Sequence, residues 1–190
     1  MRLFISSSFE PDFVSNLKAV TAYARDNAGR DAVKWVDPSN FHITYAFLGE
    51  VDQKGADTAE EAMDAGLEGM APFRIVSGGF GVFPSPRHPG VLWLGIAEGS
   101  AELGEVARRL AQGLKDKNFV FENRFEPHIT LGRVKGTLPE NFLRRVGDFS
   151  ADKRISSLLS SVELMESRLT PEGPVYRRVF SSPLAGAIRN

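Results

Sequence analysis

The chain contains no cysteine, which excludes a disulfide framework, a thiolate zinc site and a cysteine nucleophile together. Long apolar runs are missing too. No stretch approaches the roughly 20 residues needed to span a bilayer, and Leu3-Phe4-Ile5 gives way at once to Ser6-Ser7-Ser8, too short for a secretory hydrophobic region. The expected location is the cytoplasm, with no membrane partner. Nor is there an excess of positive charge: 23 basic side chains stand against 24 acidic ones. Such a surface does not grip long stretches of phosphate backbone, so any nucleic-acid contact should be local. Histidine is scarce, with three in 190 residues, and no serine sits in the Gly-x-Ser-x-Gly elbow of a hydrolase nucleophile.

What is present is ordinary for a globular chain, at 42% hydrophobic and 25% charged. We expect a single monomeric domain spanning residues 1–190. Apolar β character over Arg2 to Phe9 is followed by Phe13, Val14, Leu17 and Val20 at helical spacing behind Pro11. Trp35-Val36 and Phe41 to Leu48 read as extended, and Thr58 with Glu61 forms a capping box that should open a second helix. Phe73 to Phe83 and Val91 to Ala97 read as a hairpin across a proline-rich turn. Leu103, Val106, Leu110 and Leu114 mark a third helix. Phe125 to Val134 is extended, and Thr137 with Glu140 should cap a short fourth helix. Ser161 to Leu169 and Val175 to Phe180 form a last hairpin around Pro171-Glu172-Gly173-Pro174. Strands and helices alternate without strict βαβ regularity, which predicts an α+β fold. The second half echoes the first, so two sheet-bearing lobes with approximate twofold symmetry and a cleft between them are expected.

Two of the three histidines share one context, Phe41-His42-Ile43-Thr44 and Pro127-His128-Ile129-Thr130. Threonine is rare in this chain, so the repetition is not an accident of composition. In a strand, side chains alternate, so His42 and Thr44 share one face while Phe41, Ile43, Tyr45 and Phe47 share the other. His128 and Thr130 likewise oppose Ile129 and Leu131. A lone strand histidine is most often structural, but a matched pair points to acid/base work. Metal ligation is disfavoured: a catalytic zinc usually takes three protein ligands, and no third histidine or cysteine accompanies either motif. Glu50 and Glu126 stand at unmatched offsets. No metal or cofactor is therefore expected. Two imidazoles across a cleft suit in-line phosphoryl chemistry, one taking a proton from the entering oxygen and the other giving one to the leaving oxygen. Threonine hydroxyls and a nearby arginine would bind the phosphate oxygens.

With these motifs, the sequence resembles the 2H phosphoesterase superfamily, and within it the RNA 2′,3′-cyclic phosphodiesterases, also called 2′-5′ RNA ligases. The likeness extends to Arg2-Leu3-Phe4-Ile5, Phe47-Leu48-Gly49-Glu50, Phe83-Pro84, Val91-Leu92-Trp93, Leu131-Gly132-Arg133, Glu166-Ser167 and Gly173-Pro174-Val175-Tyr176. It implies a bilobal fold of two mainly antiparallel sheets with flanking helices, His42 as proton donor, His128 as acceptor, and Thr44, Thr130 and Arg133 around the phosphate. The residues alone do not rank donor against acceptor. The implied product is a 2′-phosphate, with reversal to 2′-5′ RNA ligation, and the partners are RNA ends or small cyclic phosphates. Two departures stand out. Members often carry an arginine just before the Val-Leu-Trp strand, where this chain has Gly90 preceded by Arg87 and His88. Strict alternation also turns Arg133 away from His128 unless the strand ends or bulges at Gly132. The tryptophans and phenylalanines read as core, Tyr176 as a candidate for stacking on a base. Two rivals remain: a phosphodiesterase for small cyclic phosphates of the ADP-ribose or nucleoside type, and a non-catalytic RNA-end binding module.

Overall fold

The computed structural model describes residues 1–122, 124–171 and 173–186. In chain order the elements are β1 (Arg2–Ser7), α1 (Pro11–Ala28), β2 (Val33–Trp35), a single 3₁₀ turn (Pro38–Asn40), β3 (Ile43–Glu50), α2 (Gln53–Leu67), β4 (Phe73–Ser85), β5 (His88–Glu98), α3 (Ser100–Asp116), β6 (His128–Val134), α4 (Phe142–Ala151), β7 (Ser156–Leu159), β8 (Ser161–Leu169) and β9 (Pro174–Pro183). Glu172, in the last turn of the sequence reading, lies outside the described residues.

Two antiparallel sheets result, a first of order β3-β1-β8-β9 and a second of order β2-β6-β5-β4-β7. This is the α+β architecture expected. Strand for strand, β3, β1, β8 and β9 correspond to β6, β5, β4 and β7, with β2 added at one edge. The chain reaches this symmetry by exchange: β4 follows the first histidine strand yet pairs in the second sheet, and β8 follows the second histidine strand yet pairs in the first.

Helices cover the outer faces. α1 presents Phe13, Leu17, Val20, Ala24 and Ala28 as one buried stripe and packs on α4, where Tyr23 stacks on Phe149 at 4.0 Å. α2 and α3 pair beside the first sheet. Their crossing is close because it is lined by small residues: a Cβ on Gly113 would stand 2.9 Å from the Ala62 carbonyl oxygen, and one on Gly66 3.1 Å from that of Arg109.

Both capping boxes are corrected. α2 begins at Gln53, because Asp52 accepts a hydrogen bond from the Gly55 N–H at 2.8 Å, and Thr58 lies inside the helix with its hydroxyl on the Lys54 carbonyl. α4 begins only at Phe142, so Thr137 and Glu140 belong to the preceding loop. Short β2 and β7 are paired edge segments with too few residues to show a period in sequence.

Candidate active site

Each histidine stands at the start of its strand, His42 one residue ahead of β3 and His128 as the first residue of β6. Each ring is fixed in the same way. His42 Nδ1 lies 2.6 Å from the Asn40 carbonyl oxygen and His128 Nδ1 lies 2.7 Å from that of Glu126. A carbonyl only accepts, so in both rings Nδ1 carries hydrogen and donates, which leaves Nε2 for a ligand. The acceptor is two residues upstream in both cases. On the first side it is held by the 3₁₀ turn, capped by Asp37 through the Ser39 N–H at 2.9 Å, and by the Asn40 side chain, which donates to the Pro174 carbonyl at 3.1 Å.

Downstream, both strands break register directly after the threonine, and β3 does so again at Leu48. Thr44 pairs with Ser6 and Ala46 with Ile5, so Tyr45 is an extra residue. Thr130 pairs with Trp93 and Gly132 with Leu92, so Leu131 is an extra residue. A bulge directly after each threonine places two successive residues on the buried face and then returns the strand to the cleft. Burial follows the same sequence in both strands: half-buried His, buried Ile, half-buried Thr, two buried residues, then an exposed one. That exposed residue is Arg133 in the second strand and Phe47 in the first. The bulge thus brings Arg133 to the face of His128 and Thr130. It also corrects Phe47, which shares the face of His42 and Thr44 and is 67% exposed.

β3 and β6 lie close together, and on the buried side Tyr45 of β3 stacks on Phe125 of the loop leading to His128, with ring centroids 5.5 Å apart. The Tyr45 hydroxyl donates to Ser7 Oγ (3.1 Å), which donates onward to the Ser161 carbonyl (2.8 Å). Burial pushes the pKa of this phenol far above its ordinary value, so it stays neutral. Burial likewise holds His42 below the ordinary imidazole value, while the Asn40 carbonyl opposes this and the positive form of His128 adds to it. The two imidazoles therefore sense each other. Arg133 belongs to the same field, since its charge, with that of Arg2, acts on the half-buried phenol of Tyr176. The ring of Tyr176 meets His42 edge-on at 5.5 Å.

The walls differ. Behind His42 stand Phe4 at 5.1 Å and Tyr176, itself 4.9 Å from Phe4. Beside His128 stands Phe83 at 5.1 Å, stacked in turn on Trp93. Trp93 lies across Gly81, whose missing side chain makes the room. Among the described residues no group of three or more His, Asp or Glu side chains converges as a metal site would require.

With this geometry in view, the sequence matches the family described as LigT like Phosphoesterase twice, over residues 9–93 and 94–176. The chain belongs to the LigT-like phosphoesterase family. The two matches divide this LigT-like chain into two halves, each with one His-Ile-Thr motif. It is 34% identical to the RNA 2′,3′-cyclic phosphodiesterase of Archaeoglobus fulgidus, covering 95% of this chain and 99% of that one. It is 37% identical to the protein of the same name from Methanothermobacter thermautotrophicus, over 76% and 78% of the two chains. In fold it is similar to a Thermus thermophilus protein of known crystal structure, with a TM-score of 0.77, 25% identity and coverage of 98% and 99%. It also resembles Escherichia coli LigT complexed with 3′-AMP, with a TM-score of 0.75, 20% identity and coverage of 96% and 97%. Among the described residues no helix is long and apolar enough to cross a membrane.

The sequence reading missed Phe47, Phe4 and Phe83 as part of the site. Nothing in Tyr45-Ala46 signals a bulge, and aromatic residues at a cleft are indistinguishable in sequence from aromatic residues in a core. Asn40 and Glu126 act through backbone carbonyls, which leave no mark on side-chain type.

Proposed function

We propose that the protein hydrolyses the 2′,3′-cyclic phosphate at an RNA end to a 2′-phosphate, using His42 and His128 as acid and base. What supports this above all is the pair of matched Nδ1–carbonyl hydrogen bonds, 2.6 Å and 2.7 Å long, which leave both Nε2 atoms for substrate. His128 Nε2 accepts a proton from water as its oxygen attacks phosphorus. His42 Nε2–H gives a proton to the departing 3′-oxygen, and the phosphate stays on the 2′-oxygen. The turnover leaves His128 charged and His42 neutral, and exchange with solvent restores both. Thr44 and Thr130 hydroxyls and the Arg133 guanidinium bind the non-bridging oxygens, where charge accumulates in the transition state. The depressed pKa of His42 in the free protein is compatible with an acid role, because an entering phosphate brings the negative charge that favours imidazolium. A ribose 5′-hydroxyl in the place of water would give a 2′-5′ linkage by the same proton transfers.

No metal takes part in this reading. The test is incubation in EDTA with an oligonucleotide ending in a 2′,3′-cyclic phosphate, followed by identification of the product. Full activity and a 2′-phosphate are expected. Loss of activity restored by a divalent ion, or a 3′-phosphate as the main product, would overturn the reading.

A further inference from the structure

The inward face of the first sheet carries two arginines, while its carboxylates are engaged elsewhere: Glu50, opposite Arg2, meets the N-terminal ammonium at 3.7 Å, and buried Glu163, opposite Ser6, accepts from the Ser8 N–H and the Ser161 hydroxyl. Residues directly opposite in an antiparallel ladder share a face, and Phe4 pairs with Met165, which pairs with Arg178. Tyr176 is two residues from Arg178, and Arg2 is two from Phe4. Arg2, Phe4, Tyr176 and Arg178 therefore line one face, the face on which Phe4 and Tyr176 touch the His42 ring. Arg177, between the two, points the other way, where its Nε donates to Glu166 Oε2 at 3.0 Å and Arg168 joins it. Among the described residues Arg2, Arg133 and Arg178 have no carboxylate within ion-pair distance, in contrast to Arg168 and Arg177. Arg2 and Arg178 are both exposed.

From β3, which follows His42, to β9, which carries Arg178, there are three strand spacings, about 14 Å at ~4.8 Å each. The Tyr176 and Phe4 rings occupy the ground between. A cyclic phosphate between the histidines and Arg133 would not extend to Arg178 on β9, whereas the adjoining part of an RNA strand would, with Arg2 on β1 between the two.

We propose that Arg2 and Arg178 form a second anion subsite that binds the phosphodiester joining the terminal nucleotide to its neighbour. This rests on the cyclic phosphodiesterase reading above and adds its specificity: the substrate is a strand end rather than a mononucleotide. The contact is electrostatic and sequence-independent, as backbone contacts are. It also reconciles a chain without net positive charge with a nucleic-acid substrate, since two cations beside the cleft are a local footprint.

The experiment compares kcat/KM for uridine 2′,3′-cyclic phosphate, for the uridine dinucleotide ending in the same group, and for that dinucleotide with an uncharged methylphosphonate linkage. The charged dinucleotide should exceed the mononucleotide by about tenfold or more, the scale of charge-assisted hydrogen bonds. The uncharged linkage should remove most of that advantage. Arg2→Gln and Arg178→Gln should each lower the ratio of dinucleotide to mononucleotide, and should flatten its salt dependence. The methylphosphonate comparison uses the unaltered protein, so it does not depend on a variant folding. Equal kcat/KM for all three substrates, or a dinucleotide advantage that survives the uncharged linkage, would sink the subsite while leaving the cyclic phosphodiesterase reading intact. No turnover of any of the three would sink that reading itself.

Discussion

The strands after the two histidines have one backbone plan and two chemistries. Each presents His, then Thr two residues on, then a bulge, then a residue returned to the cleft three further along; that residue is Phe47 in the first sheet and Arg133 in the second. The threonines' cross-strand partners differ as well, Ser6 for Thr44 and Trp93 for Thr130. Duplication supplies the pair of imidazoles that acid/base chemistry requires, whereas divergence at a single bulge-defined position supplies the asymmetry. At that position the second strand presents a guanidinium and the first an aromatic ring. A perfectly symmetric cleft would hold the phosphate without distinguishing the entering oxygen from the leaving one.

The largest effect should come from what the two sides share. His42→Ala and His128→Ala should each lower kcat by about 10²- to 10⁴-fold, with KM changing much less. A steady-state comparison in which either variant keeps half of the original kcat would remove that residue from proton transfer. Next come the donors: Thr44→Val and Thr130→Val should each reduce kcat by roughly 10²- to 10³-fold if the site is dry, and by less if it stays wet. Arg133→Ala should belong to the same class, while Phe47→Ala, at the matching position, should spare kcat and raise KM. Equal kcat losses for Arg133→Ala and Phe47→Ala would mean that the two sides are chemically equivalent after all.

Smaller again is the effect of the bulges on stability. A Cβ on Gly132 would stand 2.6 Å from Val33 Cγ1 and 3.2 Å from the Lys34 carbonyl oxygen, so Gly132→Ala should destabilise the fold by about 1–3 kcal/mol through overpacking against β2. Its counterpart, Ala46→Gly, should cost only about 0.5–1 kcal/mol, from added chain freedom. Denaturant midpoints with unchanged slopes would check this, and equal midpoints for the two variants would refute the difference in packing. The subtlest effect is on pH dependence. Burial lowers the pKa of His42 from 6.5 in the free protein. Its protonated form is therefore lost as pH rises through a value below 6.5, so one limb of the bell-shaped kcat/KM profile should lie below 6.5. That limb should lie higher in kcat, since bound phosphate favours imidazolium. A kcat/KM profile with both limbs above 6.5 would refute the effect of burial on His42.

The sequence made the histidine pair, the threonines and the α+β class legible because each is carried by side-chain identity or by strong periodicity. Arg133 was legible only in part: alternation turned it away from the cleft, and Gly132 offered the one hint of a bulge that reverses it. The equivalent bulge at Tyr45 and Ala46 had no glycine to announce it, because no neighbouring strand crowds that edge as β2 crowds Gly132, and Phe47 was therefore assigned to the wrong face. The helix starts failed for a related reason. Thr58-x-x-Glu61 satisfies the capping pattern, yet Asp52 caps the chain six residues earlier and the helix simply runs through.

The exchange of β4 and β8 also bears on how the chain could come apart. Strands from both halves of the chain build each sheet, with β8 beside β1 in the first and β6 and β7 beside β5 and β4 in the second. To separate, the halves would have to break a ladder in the interior of both sheets at once. The two halves are thus clasped: neither histidine strand keeps a complete sheet beside it without strands that the other half supplies.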